Sequence, residues 1–312
     1  MNYAPIVIFT YRRRIDKTIQ SLLNNDLSKN HELFIFSDGF KTDIDRQDVI
    51  EVRKSLQTIT GFKSIKIIKS KTNKGLANSI IDGVTQILEK YKNVIVIEDD
   101  LIVSNDFLTY MNGTLNFYED EKSIWSISGY GPNLPCLNEY TEDLYLSVRA
   151  SSWGWATWKD RWDTIDWEVK EFNRLAQNKQ LQNSFDRGGN DMFKMLELQM
   201  LHKIDSWAIR WCFNQFQQNK YTVYPKKSKV INDGFGDNLG AHNNNIHNKK
   251  VITLDNSSIK FQKLSPDPKL IQCFKAYHDL SLKTKIGYFL KKHGGYSIIK
   301  RVSHFFSRKQ PL

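Results

Sequence analysis

Residues 94–100 read VIVIEDD, an apolar β-branched run that leads directly into three carboxylates. A strand that is apolar at every position is typical of a parallel sheet buried on both faces. Carboxylates crowded at the end of such a strand repel one another and need a cation or hydrogen-bond donors. A divalent metal with oxygen ligands and substrate phosphates would compensate them, and so would the N-terminus of a helix; the tripeptide alone leaves both interpretations open.

Three more short apolar runs precede this one and alternate with helical patterns. The runs cover residues 6–10, 33–36 and 65–68, and apolar residues recur at helical spacing over 15–23 and 80–88. Buried strands separated by helices predict an α/β fold whose sheet is mainly parallel and carries helices on both faces.

Ligands of such sheets bind beyond the carboxyl ends of the strands, and polar residues follow each predicted strand. Before the acidic triplet, they are Thr10, Arg12, Asp38, Asn73 and Lys74. Arginines 12–14 suit a phosphate at a helix start or a solvated first turn. Asp38 either accepts hydrogen bonds from a base or ribose, or caps the turn at Gly39.

The positive charge of the chain is concentrated at its C-terminal end. The 312 residues carry a formal charge of +11, and residues 281–312 contain eight Lys or Arg and no acid, which leaves +3 for the first 280 residues. Apolar residues recur at helical spacing in this tail. The pattern predicts an amphipathic helix that lies on anionic lipid, or one that docks on the body of the protein.

The cysteines and the N-terminus bear on the compartment. The chain has three cysteines, at positions 136, 212 and 273, which form neither a disulfide framework nor a zinc pattern along the sequence. The N-terminus lacks the pattern of a secretory signal, and no apolar run is long enough to span a membrane. We therefore expect a reducing cytoplasm, with peripheral contact at the inner membrane face.

The second half of the chain is aromatic and then polar. Six of the eight tryptophans lie within residues 153–207. Trp153 could form a platform for a sugar face, although tryptophans are also ordinary core residues. Residues 231–256 are rich in Asn, Gly and His and include His242; structureless loops of this length are often functional lids or are disordered.

Three stretches resemble a known family. VIVIEDDLIVSNDFLTYM (residues 94–111) closely resembles the acidic motif of GT-A-fold glycosyltransferases, and is most similar to the N-acetylglucosaminyltransferase I family. PIVIFTYRR (5–13) and FIFSDG (34–39) look like the first two nucleotide-binding strands of that family. The resemblance covers residues 1 to about 130, is patchy over 203–211 and 230–242, and is absent beyond about 260.

The resemblance implies a GT-A (Rossmann-like) fold, a UDP-sugar donor, a Mn²⁺ or Mg²⁺ ion, and inversion at the anomeric carbon. Asp100 would bind the metal, and His242 would contact the metal or the diphosphate. The implied donor contacts are Asp99 with the ribose, Glu98 with the sugar or the metal's waters, Asp38 with the uracil, Arg12 with the pyrophosphate, and Asn73 and Lys74 near the base. Thr10 and Trp153 are further donor-contact candidates, from the strand end and from the tryptophan-rich stretch.

Inversion requires a general base that deprotonates the acceptor hydroxyl. Our first choice is Asp205 in KIDSW (203–207), where the family carries acid-acid-Trp and this chain has Ser206 in the second position. Asp191 is the second choice and Asp163 the third. Asp205 could instead cap the helix that follows it.

These observations predict three segments: a nucleotide-sugar-binding half (1–130), an acceptor-binding and catalytic half (131–260) whose loop 231–256 covers the donor, and a basic helical extension (261–312). The predicted function is transfer of a sugar to a glycan or lipid-linked acceptor in bacterial surface polysaccharide synthesis. A sugar nucleotidyltransferase is the enzymatic alternative, although no Gly-rich loop follows the first strand. A non-enzymatic basic membrane- or nucleic-acid-binding protein is the other, and the nearly neutral body argues against nucleic acid.

Overall fold

The computed structural model describes residues 3–234 and 254–281, together with residues 284, 286 and 288. Within this part of the chain there are ten strands: β1 (Ile6–Thr10), β2 (Glu32–Ser37), β3 (Ser64–Lys69), β4 (Asn93–Glu98), β5 (Leu101–Val103), β6 (Ile124–Ser128), β7 (Leu144–Ser147), β8 (Trp155–Trp158), β9 (Tyr221–Pro225) and β10 (Val230–Asn232).

The same residues form ten α-helices: α1 (Asp16–Leu23), α2 (Asp43–Ser55), α3 (Leu76–Leu88), α4 (Phe107–Phe117), α5 (Lys159–Trp162), α6 (Phe172–Gln177), α7 (Lys179–Phe185), α8 (Met192–Met200), α9 (Trp207–Gln217) and α10 (Pro268–His278). Short 3₁₀ turns lie at Ser28–Asn30, Leu56–Thr58, Pro135–Leu137 and Asp186–Gly188.

Eight strands form one mixed sheet in the order β3-β2-β1-β4-β8-β6-β9-β7. The first four are parallel to one another, β8 is antiparallel to both of its neighbours, and β6 and β9 are again parallel. The predicted α/β fold with a mainly parallel sheet is therefore confirmed. It is consistent with the GT-A (Rossmann-like) architecture.

Helices cover both faces of the sheet because alternate residues of its central strands enter different cores. Ile6 and Ile8 of β1 pack into one core, which also contains residues of α1, α4 and α10. Val7 and Phe9 pack into the other, with residues of α3, α8 and α9. Strands that are apolar at every position are what this two-sided burial requires.

Most of the tryptophans belong to the second core. Trp155, Trp162, Trp207 and Trp211 are buried there, and the Trp155 and Trp211 ring centroids are 4.4 Å apart. Trp153 is only partly buried, so it differs from this packed group.

The first two predicted segments share this sheet, and the described helix of the third packs against the second. β8, from the second segment, lies between β4 and β6, which both belong to the first. α10, from the third segment, packs against Pro135–Leu137 and Asp186–Gly188. The division into segments stays a prediction.

The C-terminal tail lies almost entirely outside the described residues. Within it, Ile286 is exposed, whereas Tyr288 is partly buried. Burial and then the charge of Asp191 raise the pKa of Tyr288 to about 12. In the described residues, no helix combines the length and apolar character that crossing a membrane requires. The cytoplasmic location and the membrane contact stay predictions.

The cysteine prediction was wrong. Cys136 and Cys273 form a disulfide that joins the Pro135–Leu137 turn to α10, with Cα atoms 6.5 Å apart and a sequence separation of 137. Sequence distance misled the prediction because α10 folds back onto this turn. Cys212 is buried and unpaired. The cysteines therefore no longer support a reducing compartment.

The disulfide predicts a simple labelling result. Alkylation of the unfolded, unreduced protein should add one label, at Cys212, and prior reduction should raise the number to three, as counted by intact mass spectrometry. The Cys136→Ser variant should take two labels without reduction because Cys273 loses its partner. Three labels on the unreduced wild-type chain would contradict the disulfide.

Candidate functional site

The carboxyl ends of the four parallel strands form one edge of the sheet, and the predicted site residues follow these ends. β1 ends at Thr10, which pairs with Ser37 at the end of β2. β4 ends at Glu98, which pairs with Phe9 of β1. The turn after β2, the loop after β3 and the acidic triplet after β4 are thereby brought to one edge.

The triplet occupies the tight connection between β4 and β5. Glu98 is the last residue of β4, and Leu101 is the first residue of β5. Glu98, Asp99 and Asp100 are all partly buried. Burial and the charges of Asp100 and Asp99 raise the pKa of Glu98 well above its ordinary value, whereas Arg13 opposes this shift. The triplet therefore favours a cation beside it.

Arg13 is the arginine that reaches the triplet. Its Nη1 lies 3.0 Å from Asp100 Oδ2 and 3.3 Å from Asp99 Oδ1. The other carboxylate oxygen of Asp100, Oδ1, is buried and has no hydrogen-bond partner among the described residues. Sequence reasoning selected Arg12 and did not single out Arg13.

A second strand packs against the triplet from across the sheet edge. β10 pairs antiparallel with β5, and the Asp233 N–H donates to the Asp100 carbonyl at 2.8 Å. A Cβ built on Gly234 would lie 2.6 Å from Asp100 Oδ2, so only glycine allows the backbone to pass this closely. The start of the predicted loop 231–256 is thus strand β10 followed by a backbone segment against Asp100.

The donor set of Asp100 fits a sparsely coordinated divalent ion. Within residues 3–234 and 254–281, no three His, Cys, Asp or Glu side chains are arranged to hold a metal. Mg²⁺ is often bound by only one or two carboxylates together with substrate phosphates and water. The orphaned Asp100 Oδ1 suits this role, with Asp99 beside it. His242, the other predicted metal contact, lies outside the described residues.

Arg12 points away from the triplet. Its guanidinium pairs with two carboxylates of α2, Asp45 Oδ1 at 2.9 Å and Asp48 Oδ2 at 2.7 Å. A guanidinium held in this way would have to leave α2 in order to bind a pyrophosphate. The predicted role of Arg12 stays a prediction.

Asp38 organises the loop between β3 and α3. It is buried, and its two carboxylate oxygens accept hydrogen bonds from the backbone N–H groups of Gly39, Lys74 and Gly75, at 2.8–3.1 Å. The turn-capping alternative is therefore present in the structure. The four hydrogen bonds from these three N–H groups already use most of the acceptor capacity of the carboxylate. Contact of Asp38 with a uracil stays a prediction.

Asn73 and Lys74 lie beside this turn. The Asn73 side-chain amide donates to the Gly39 carbonyl at 2.9 Å, and Lys74 Nζ pairs with Asp82 Oδ2 at 2.8 Å. Both residues tie the loop to its surroundings, and their contact with a base stays a prediction.

Arg53 of α2 holds together the carboxyl ends of β2 and β3. Its guanidinium donates to the carbonyls of Ser37, Asp38 and Ser70 at 2.7–3.1 Å, which joins the ends of β2 and β3. The sequence pattern did not identify this residue because α2 as a whole was not predicted.

Asp205 lies next to the loop that Asp38 holds. Its Oδ2 would be 3.5 Å from a Cβ on Gly75, the residue directly before α3, which has φ +79°. Ser206 caps α9 by accepting from the Ile209 N–H, so Asp205 is not the cap that the sequence allowed as its alternative role. The Asp205 carboxylate is exposed, and no hydrogen bond or ion pair holds it among the described residues.

The two other base candidates are paired with cations. Asp191 is buried in a bidentate ion pair with Arg149, with N–O distances of 2.7 and 2.8 Å. Burial lowers the pKa of Arg149, whereas the charge of Asp191 and its hydrogen bonds raise it, and the net shift is upward. Asp163 pairs with Lys159 at 2.7 Å. Of the three carboxylates, Asp205 is the one open to solvent without such a partner.

Thr10 and Trp153 flank the edge. The Thr10 hydroxyl donates to the Arg13 carbonyl at 2.8 Å and thereby shapes the turn after β1. The Trp153 ring packs edge-on against Tyr130, with centroids 4.8 Å apart. The predicted contacts of Thr10 and Trp153 with a donor stay predictions.

A parallel half-sheet with an aspartate-organised loop and an acidic triplet at its carboxyl edge has its polar residues where α/β proteins of this architecture bind their ligands. The model of the GNT-I family matches residues 80–172, which include β4 and the whole triplet. No curated protein sequence matches the chain.

This match confirms the resemblance seen in residues 94–111 and supports assignment of the chain to the N-acetylglucosaminyltransferase I-like glycosyltransferases. A glycosyltransferase implies a nucleotide-sugar donor and a glycan acceptor.

The Arg149–Asp191 pair predicts a stability effect rather than a catalytic one. Arg149→Met should lower the free energy of unfolding by about 3–5 kcal/mol because it leaves a buried carboxylate without its cation. The double variant Arg149→Met/Asp191→Leu should lose less, as measured by denaturant unfolding. A double variant as unstable as the sum of the two single variants would contradict this account.

Proposed function

We propose that the protein is an inverting, divalent-metal-dependent glycosyltransferase that moves a hexosyl or N-acetylhexosaminyl group from a UDP-sugar to a glycan or lipid-linked acceptor. The observation that carries the proposal is the acidic triplet, which lies inside the matched GNT-I region and at the same sheet edge as Asp38 and Asp205.

The donor's nucleotide would lie along the carboxyl edge of β1–β4. Asp38 would face the base, since it already fixes the loop that forms this part of the edge. Asp99 would face the ribose, and Glu98 would face the sugar. The order of the strands supports this direction, because β2 and β4 flank β1 on opposite sides.

Asp100 would hold Mn²⁺ or Mg²⁺ together with the donor's diphosphate. A bound divalent ion neutralises the negative charge that develops on a leaving diphosphate. Asp100 suits this role because its Oδ1 is buried without a hydrogen-bond partner and its peptide group is fixed by Asp233.

Asp205 would take the proton from the acceptor hydroxyl. A general base must be able to reach its substrate in the ionised form. Asp205 is exposed and has no ion-pair partner among the described residues, whereas Asp191 and Asp163 are each held by a cation. These contrasts favour Asp205.

The basic C-terminal tail bears on where the reaction would take place. A bacterial surface polysaccharide as acceptor, and membrane contact through residues 281–312, would suit the basic tail. Liposome flotation of the full chain and of a chain lacking 281–312 tests the membrane contact.

The first test concerns Asp100. Titration calorimetry with UDP, GDP, CDP and dTDP should show tightest binding of UDP, and only with Mn²⁺ or Mg²⁺ present. Asp100→Asn should lose the metal-dependent part of this binding because the metal loses its carboxylate. The control is Asp26→Asn, which removes an exposed carboxylate elsewhere. Full metal-dependent binding in Asp100→Asn would refute the assignment.

The second test separates binding from chemistry. Asp205→Asn should bind UDP and Mn²⁺ like the wild type but transfer sugar roughly 10²–10⁴-fold more slowly. The measurement is the single-turnover rate on the acceptor found by screening. Asp163→Asn, which removes a paired surface carboxylate, should keep the wild-type rate. A wild-type rate in Asp205→Asn would move the base elsewhere.

A further inference from the structure

Three consecutive arginines follow β1, and each has a different partner. Arg12 pairs with Asp45 and Asp48 of α2. Arg14 is exposed and pairs with Asp16, which begins α1. Arg13 alone of the three forms ion pairs with the acidic triplet among the described residues.

Arg13 occupies an enclosed position. Its side chain is 14% exposed, and those of Asp100 and Asp99 are 17% and 22% exposed. Gly234 closes the position from the other side, since a Cβ there would lie 3.1 Å from Arg13 Nη1 and 2.6 Å from Asp100 Oδ2.

The backbone of Arg13 is also fixed. The Thr10 hydroxyl donates to the Arg13 carbonyl at 2.8 Å. On the opposite side, the Thr18 hydroxyl of α1 donates to the Asp99 carbonyl at 3.2 Å. The two threonines hold the arginine turn and the triplet against each other, so the ion pair is a built feature of the edge.

The guanidinium competes electrostatically with any second cation at Asp100. It supplies the positive charge that the crowded carboxylates require, and it lies within 3.0 Å of the oxygen beside Asp100 Oδ1. A divalent ion that binds alone would add its charge next to Arg13, and the two cations would repel each other.

A bound diphosphate changes this balance. Arginine binds phosphate oxygens through two parallel N–H groups, as it binds carboxylates. A diphosphate that arrives with the metal therefore offers Arg13 a new anionic partner at the same edge. Metal and nucleotide would then favour each other's binding, and such coupling is necessarily reciprocal.

We propose that Arg13 is the internal counter-cation of Asp100 and that it moves from the carboxylates to the donor's diphosphate when metal and nucleotide bind together. The inference rests on the proposed function. Its consequence is that the free protein binds the metal weakly, whereas the protein–nucleotide complex binds it tightly.

The experiment measures Mn²⁺ binding without any turnover. The free Mn²⁺ signal in electron paramagnetic resonance gives the dissociation constant for the wild type, Arg13→Gln and Arg13→Lys, with and without saturating UDP. The matched control is Arg14→Gln, which removes the neighbouring, exposed guanidinium. Circular dichroism and thermal unfolding report whether each variant is folded.

In the wild type, UDP should tighten Mn²⁺ binding by about tenfold or more, within the range of ordinary allosteric coupling. Arg13→Gln should bind Mn²⁺ alone about tenfold more tightly and should lose most of the effect of UDP. Arg13→Lys, which keeps a positive charge, should lie near the wild type, and Arg14→Gln should match it.

Three results would overturn the inference. Mn²⁺ affinity that is unchanged or weaker in folded Arg13→Gln removes the competition, and it leaves the proposed function standing if UDP binding still depends on the metal. Equal Mn²⁺ affinity with and without UDP in the wild type removes the coupling, and because coupling is reciprocal it also contradicts metal-dependent binding of UDP. If the wild type binds neither UDP nor Mn²⁺ in any combination, the proposed function fails together with the inference.

Discussion

The crowding of three carboxylates at the end of a buried strand is the constraint on which the edge of this sheet depends. β4 is apolar and enclosed on both faces, so Glu98, Asp99 and Asp100 follow it at a fixed place. Burial, and after it the charges of Asp100 and Asp99, raise the pKa of Glu98 well above its ordinary value. Arg13 lies against the triplet because negative charge concentrated there requires a cation.

The surrounding elements serve to hold this arrangement. β5 and β10 fix the backbone of Asp100, and buried Lys229, directly before β10, pairs with Asp106 at the start of α4 and with Asp255. On the other side of β1, Asp38 and Arg53 fix the ends of β2 and β3. Hydrogen bonds therefore connect the backbone segments of this edge to one another, an arrangement that suits a site that must position a reacting group.

Much of the fold could be predicted because local pattern and burial agree in the first hundred residues. The runs at 6–10, 33–36, 65–68 and 94–97 all lie in strands of the structure, and the acidic triplet lies at the carboxyl end of the fourth, as predicted. The directions of Arg12 and Arg13 could not be predicted, since they depend on how the turn after β1 is shaped by Thr10. The Cys136–Cys273 disulfide and the Arg149–Asp191 pair join distant segments, and no local pattern reports such contacts.

The central claim is that Asp100 holds a divalent ion together with a nucleoside diphosphate. The most direct measurement is a crystal structure of the protein with UDP and Mn²⁺, with anomalous diffraction recorded at the manganese edge. The account predicts one anomalous peak within bonding distance of an Asp100 carboxylate oxygen and of both phosphates, with Arg13 turned toward the diphosphate. A peak remote from Asp100, or bound UDP without a metal at the triplet, would contradict it.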